Sequence, residues 1–257
     1  MNIYQHFRKE EHNFIDQVID WKNTVQNTYS YKLTDFLDPR EQEITKSIVG
    51  ENQDVHVQLF GGAEWTERKR ALIYPDYYVP SNDDFKLAIF ELGYPEKFVT
   101  IEHPQMLGSL MGLGMRRAKF GDVMIQDRVV QFIVAEEVEN YIQLNLQSVG
   151  KSKVSVKRIN FSSIVNRKEL WRENVVTASS LRLDIMIATI FSISRQKAQQ
   201  LIKNGLVRMN WKMIEQTSFE CKEGDIISVR GVGRGKLLSI GGKTKKEKWR
   251  IVVGIQK

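Results

Sequence analysis

One cysteine, Cys221, stands in 257 residues, so the chain can form no internal disulfide and no multi-cysteine zinc site. Histidine is almost as scarce. His6 and His12 lie six apart, not the three or four that set two ligands on one helical face, and His56 and His103 have no neighbouring ligand pattern. No run of about 18 or more apolar residues occurs, and the charged opening MNIYQHFRKEEHNF lacks the apolar stretch of a signal peptide. The expectation is a soluble, cytoplasmic protein that makes no membrane contact. The nucleophile-elbow pattern G-x-S-x-G is missing. Gly231-Val232-Gly233-Arg234-Gly235 is glycine-rich but runs into Leu237-Leu238-Ser239-Ile240 rather than into a helix, so it is not a nucleotide loop. No metal, cofactor or catalytic residue is therefore expected.

What the chain does hold is positive charge in one place. Residues 179–257 carry 16 Lys and Arg against 6 Asp and Glu, while residues 1–178 carry 22 against 25. Clustered cations of this kind suit a polyanion, because each neutralised phosphate releases counterions. Nucleic acid is the expected partner.

Periodicity divides the rest of the chain. Phe7, Phe14, Val18, Trp21 and Val25 recur at helical spacing, and Asp38-Pro39 reads as a cap and first position of a second helix ending near Gly50. Residues 1–50 are thus expected to be a helical region. Over residues 51–160 the pattern predicts strands at Val55–Leu59 and Lys69–Tyr74. A helix follows at Phe85–Leu92, opened by a Ser81 capping box, then a strand at Phe98–Glu102 and a helix at Pro104–Leu113. The stretch closes with a hairpin around Gln126-Asp127-Arg128, a helix at Glu136–Leu146 and a strand at Lys153–Ile159. This order matches a split βαβ sheet of ferredoxin-like or RNA-recognition type, giving an α+β fold class. No ribonucleoprotein aromatic signature lies on these strands. Arg116, Arg117 and Lys119 are a candidate secondary RNA contact. Residues 161–178 read as a polar connector.

In residues 179–257 a helix over Ile185–Phe191 precedes a second one capped by Ser194 and stopped at Gly205. Strands follow at Leu206–Asn210 and Ile226–Val229, and Arg230 to Lys236 close a basic face. The ordered pattern R-L-D, S-R-x-x-A-x-x-L-I-x-x-G-x-V-x-x-N and G-D-x-I-x-V-R-G resembles the RNA-binding domain named after ribosomal small-subunit protein S-four. That resemblance implies RNA contacts, mainly to phosphate and sugar, from Arg182, Ser194, Arg195, Lys197, Lys203, Arg208, Asn210, Lys212, Arg230, Arg234 and Lys236. With I-Y-Q-H-F-R-K-E-E at the start, F-G-G-A-E-W-T-E-R-K-R in the middle, F-G-D-V-M-I after it and S-S-L-R-L-D at the boundary, the whole chain resembles the YlmH family of bacterial proteins. This second resemblance implies a factor that binds the large ribosomal subunit and transfer RNA, linked to quality control of stalled nascent chains; the expectation is a monomeric, non-enzymatic protein that binds ribosomal RNA, transfer RNA or both. Its genes are implied to lie in a cell-division cluster. Two other readings compete: a pseudouridine-synthase-type enzyme using Asp184 of the R-L-D motif, and a division-linked scaffold with incidental RNA affinity.

Overall fold

Two helices at the start of the chain owe their positions to local chemistry. In α1 (His12–Thr28), Ile15, Val18 and Val25 share one face and are buried. Helix α2 (Pro39–Val49) starts at a full capping box, the Asp38 carboxylate accepting from the Glu41 N–H at 2.9 Å and the Glu41 carboxylate accepting from the Asp38 N–H at 2.7 Å. The Lys22 ammonium donates to the carbonyls of Ile48 and Val49 at 3.1 and 2.9 Å, satisfying the end of α2 from the flank of α1. The structure, a computed structural model, describes residues 4, 7, 9–50, 54–165 and 171–256. It separates into two units, Met1–Arg167 and Lys168–Lys257. His6 lies outside the described residues.

Between the two helices runs β1 (Lys32–Leu37), which the periodicity did not foretell. It pairs with β3 (Lys69–Pro75), whose other edge carries β2 (Val55–Phe60), so one antiparallel sheet of order β1-β3-β2 crosses residue 50. Helices α1 and α2 cover one face against Val55 and Ile73. Phe36 and Leu72 emerge on the other face.

The second half of this unit is the split βαβ sheet: β4 (Leu87–Gly93), α3 (His103–Gly112), β5 (Phe120–Gln126), β6 (Val129–Ala135) and α4 (Glu139–Asn145), then β7 (Ser148–Val149) and β8 (Ser152–Lys153) as a small ribbon, and β9 (Ser155–Ile159). Its order, β5-β6-β4-β9, is antiparallel throughout. Two expected elements are corrected. The capping box at Ser81 opens only a 3₁₀ turn, Asn82–Phe85, and the expected helix over Phe85–Leu92 is the central strand β4. Phe98–Glu102 forms no strand, and the Phe98 ring is 88% exposed.

Strand β4 is apolar along its length because both its faces are covered. Ala88, Phe90 and Leu92 pack with Met106, Leu110 and Ile142 of α3 and α4, whereas Leu87 and Ile89 pack with Phe36, Leu72 and Phe85. Strand β6 divides in the same way, Val130, Phe132 and Val134 to one core and Ile133 and Ala135 to the other. The two sheets of this unit are therefore layered face to face. Polar ties reinforce the layer. The Asp122 carboxylate accepts from the backbone N–H groups of Glu67 and Arg68 at 2.7 and 3.1 Å, and Arg68 donates to the carbonyls of Phe36 and Phe120 at 2.8 and 3.3 Å. These are residues of the F-G-G-A-E-W-T-E-R-K-R and F-G-D-V-M-I stretches, which thus act in folding. At Gly121 a Cβ would meet the Phe36 ring at 2.8 Å. Gly121→Ala is expected to destabilise this unit by about 1–3 kcal/mol through overpacking. A urea midpoint unchanged from wild type would refute the close packing.

In the second unit, α5 (Leu183–Ile190) and α6 (Arg195–Lys203) lie on one face of a six-stranded sheet. Its strands are β10 (Trp171–Ala178), β11 (Val207–Met209), β12 (Lys212–Met213), β13 (Ile226–Val229), β14 (Gly233–Lys243) and β15 (Trp249–Gln256), in the order β10-β15-β14-β13-β11-β12. The stretch expected to be a connector over residues 161–178 is corrected here: Trp171–Ala178 pairs along its whole length with β15, from Trp171↔Gln256 to Ala178↔Trp249. Before it, the buried Gln131 amide receives the Val165 N–H at 2.8 Å and donates to the Ser163 carbonyl at 3.1 Å. No helix among the described residues is long and apolar enough to cross a membrane.

Candidate nucleic-acid interface

The R-L-D motif places a carboxylate at the amino end of α5, and the second helix of the pair brings cations to it. Asp184 is fully buried and accepts from Arg182 (Nε at 3.1 Å, Nη2 at 3.3 Å), Arg195 (Nε at 2.9 Å), Gln199 (Nε2 at 2.8 Å) and the Ile185 N–H (3.0 Å). Burial alone would push this carboxyl up. The hydrogen bonds from Arg182, Gln199 and Arg195 outweigh it and bring the pKa down to about 2. Arg182 and Arg195 keep 39% and 53% of their side chains exposed. The result is a pair of guanidinium groups fixed at one end by a permanent anion and open to solvent at the other, ready for phosphate without first losing rotamer freedom.

Ser194 is the cap of α6, its hydroxyl accepting from the Lys197 N–H at 3.2 Å. Lys197 and Lys203 are exposed on that helix. Asn210 is spent within the chain: its amide donates to Asp225 at 2.8 Å and accepts from the Ile226 N–H at 2.9 Å. With Asn210 and Trp211 at φ 46° and 64°, the two residues form the tight turn joining Met209 to Lys212. Lys212 flanks that turn, half-buried.

The remaining basic residues sit elsewhere. Cross-strand register aligns Arg208 with Ser228 and Ser228 with Arg234, and it pairs Ile226 with Lys236. The alternate positions Val207, Met209, Ile227, Val229 and Leu237 belong to the core beneath α5 and α6. Arg208, Arg234 and Lys236 therefore lie on the sheet face opposite the helices, and the Arg234 guanidinium sits over the Trp211 ring at 5.0 Å. Arg230 is exposed just beyond β13. The expected single basic face is two: Arg182, Arg195, Lys197 and Lys203 on the helices, and Arg208, Arg234 and Lys236 on the sheet.

In the first unit, Arg117 donates to the carbonyls of Phe120 and Gly121 at 2.5 and 3.3 Å, and burial followed by the nearby Arg68 charge lowers its pKa to about 10. Lys119 bridges Asp35 and Glu137 at 2.6 and 2.9 Å. Only Arg116, paired with Asp35 at 3.2 Å and 79% exposed, points a cation at solvent. The expected patch of three is mostly internal glue. The sheet offers no substitute, since the face that an RNA-recognition fold would leave open is covered by the β1-β3-β2 layer.

Enzyme-like groups are enclosed. Asp184 has no exposed surface. Burial, with Asp225, Asp184 and Glu220 adding to it, pushes the Cys221 thiol up to about 12, leaving it un-ionised at neutral pH. Among the described residues no group of three His, Cys, Asp or Glu side chains is arranged to hold a metal.

Residues 10–78 match the family described as "YlmH, N-terminal", residues 80–163 the one described as "Putative RNA-binding domain in YlmH", and residues 181–227 the "S4 domain". The chain is 46% identical over 256 residues, 100% of its length and 99% of the relative's, to ribosome-associated protein quality control protein P2 of Bacillus subtilis (strain 168). It is 34% identical over 74 residues to small ribosomal subunit protein uS4 of Fervidobacterium nodosum, a match covering 28% of this chain and 35% of that protein. Among solved structures, cell division protein ylmH from Streptococcus pneumoniae matches with a TM-score of 0.54 and 28% identity, covering 64% of this chain and 100% of that one.

Proposed function

The chain belongs to the YlmH family, and from that membership we propose that it is a non-enzymatic factor that binds structured RNA on the ribosome in the quality control of stalled nascent chains. Its targets are ribosomal RNA and transfer RNA at the large subunit, and it acts as a cytoplasmic monomer. The observation that carries this reading is the guanidinium pair of Arg182 and Arg195 fixed on buried Asp184, within a segment holding 16 Lys and Arg against 6 acids. Such a site recognises phosphates held at a set spacing, which a folded RNA supplies and a disordered polyanion does not. The relative's name, a ribosome-associated quality-control protein, points the same way.

An enzyme of pseudouridine-synthase type would need its aspartate open to a flipped base. Asp184 is enclosed by its own donors instead.

Co-sedimentation of the purified chain with separated ribosomal subunits, and with large subunits carrying stalled nascent chains, tests the reading. The expected result is selective pelleting with the large subunit, enriched on the stalled complexes. It should weaken with salt by roughly 0.7–0.9 in log–log slope per phosphate contact. Absence from every ribosomal fraction, with binding to isolated RNA retained, would move the assignment to an RNA-modifying or scaffold role.

A further inference from the structure

Beside the guanidinium pair lies a pocket that phosphate binding does not explain. Residues 217–221 run antiparallel to residues 181–184: the Leu183 N–H donates to Phe219 at 2.8 Å, the Asp184 N–H to Thr217 at 3.1 Å and the Cys221 N–H to Leu181 at 2.8 Å, with Arg182 facing Glu220. Trp249, the first residue of β15, stands next to this pair of segments because it pairs with Ala178 at the end of β10. Together Ser180, Leu181, Arg182, Ser218, Glu220 and Trp249 line a shallow, half-open cleft of about 300 Å³, room for one flat base lying on its floor rather than an enclosed ligand.

Its lining is unlike a phosphate cradle. It joins a large aromatic ring, one fixed cation, one exposed carboxylate and two hydroxyls. The Lys243 ammonium lies over the Trp249 ring at 5.5 Å from its centroid, and the hairpin tip beyond it exposes Lys245, Lys246 and Lys248. The hairpin falls outside the residues that match the S4 domain. The cavity is thus bordered by the helix-borne cations through Arg182 and by the lysine-rich hairpin through Lys243.

We propose that this cavity takes one unstacked nucleotide of the bound RNA, a guanosine in preference to the other three. The base stacks on Trp249 in place of the Lys243 ammonium, which leaves the ring and its 3.0 Å pairing with Glu247 to meet the phosphate beside Arg182, and the base edge meets Glu220. Sequence-selective RNA recognition works mainly by splaying single bases out of loops and bulges onto aromatic rings. Guanine is the base that suits a carboxylate, because N1–H and N2–H are parallel donors matching its two oxygens. Adenine sets an acceptor beside its donor, and uracil flanks its one donor with two carbonyls. Arg182 is already held through two of its nitrogens by Asp184, so one of the two phosphate donors is in place before RNA arrives.

This inference rests on the RNA-binding reading and adds a base-specific contact to it. The test follows the indole N–H resonances of the five tryptophans while the full chain is titrated with GMP, AMP, CMP and UMP separately, up to about 10 mM. Binding of the same chain to purified large ribosomal subunits is measured in parallel. The expected result is that GMP shifts the resonance missing from Trp249→Phe and binds at least about fivefold more tightly than AMP, and that Glu220→Gln, an exposed change that leaves the fold intact, abolishes that preference. Equal shifts by all four nucleotides, or none at Trp249, with subunit binding retained, would overturn the pocket and leave the RNA reading standing. Failure to bind subunits or any RNA would overturn the RNA reading, and a GMP shift in such a chain would make the cavity a site for the free nucleotide instead.

Discussion

Asp184→Ala destabilises the second unit by about 2–4 kcal/mol, the magnitude expected when a buried carboxylate that gathers several charge-assisted hydrogen bonds is removed. The loss stays below the upper extreme for broken buried pairs because Arg182 and Arg195 are partly exposed and regain water. Hydrogen exchange of the amides of α5 and α6 measures it within this unit. A change smaller than about 1 kcal/mol would mean that the carboxylate does not organise the helices. The same group sets a pH dependence. Its folded pKa, about 2, is below the unfolded value near 3.9, so its contribution is fully present above about pH 4 and is lost as pH falls toward 2. Roughly 2–3 kcal/mol should disappear across that window in the wild type and not in Asp184→Ala. RNA affinity of the variant should fall at neutral pH, where it is still folded, because Arg182 and Arg195 then lose rotamer freedom only on binding.

The parts of this fold that were legible are those whose signals are local. Asp38-Pro39, the turn at Asp127, and Ser194 with Gly205 announce caps and turns by chemistry within a few residues. Strand β4 was illegible for a physical reason. Its apolar residues serve two cores in alternation, so the sequence shows an unbroken apolar run, and a capping box just before it favours a helix. Strand β10 was read as a connector because its partner, β15, lies more than seventy residues further on and it exposes Val175 at the sheet edge. The charge of the candidate interface could be counted directly, but its division could not. Whether Arg208 shares a face with Lys203 depends on strand alternation relative to a helix layer, which only the register reveals. The role of Asp184 was hidden likewise. As a first-turn acid it reads as a helix-dipole partner, and its burial under Arg195 and Gln199 depends on how α6 packs on α5.

The division into two basic faces makes the second large effect. Lys197→Gln with Lys203→Gln is expected to weaken binding to purified large ribosomal subunits by at least about tenfold near 0.1 M salt, and to lower the log–log salt slope by about 1.5, the share of two phosphate contacts. Arg208→Gln with Lys236→Gln, on the far face of the sheet, should change affinity by less than about threefold. Both pairs remove the same formal charge, so a long-range field alone would make them equal. Unequal losses locate the RNA. Neutral Gln is used because Glu at Lys203 would set an acid in the last turn of α6, against the helix dipole. Arg195→Glu is avoided for a stronger reason: it would put a carboxylate where a guanidinium now holds buried Asp184, and lost folding would pass for lost binding. Circular dichroism and unchanged urea midpoints for both lysine and sheet variants complete the control. If the sheet pair costs more than the helix pair, the RNA lies against Arg208 and Arg234, and the guanidinium pair on Asp184 is a device of folding rather than of recognition.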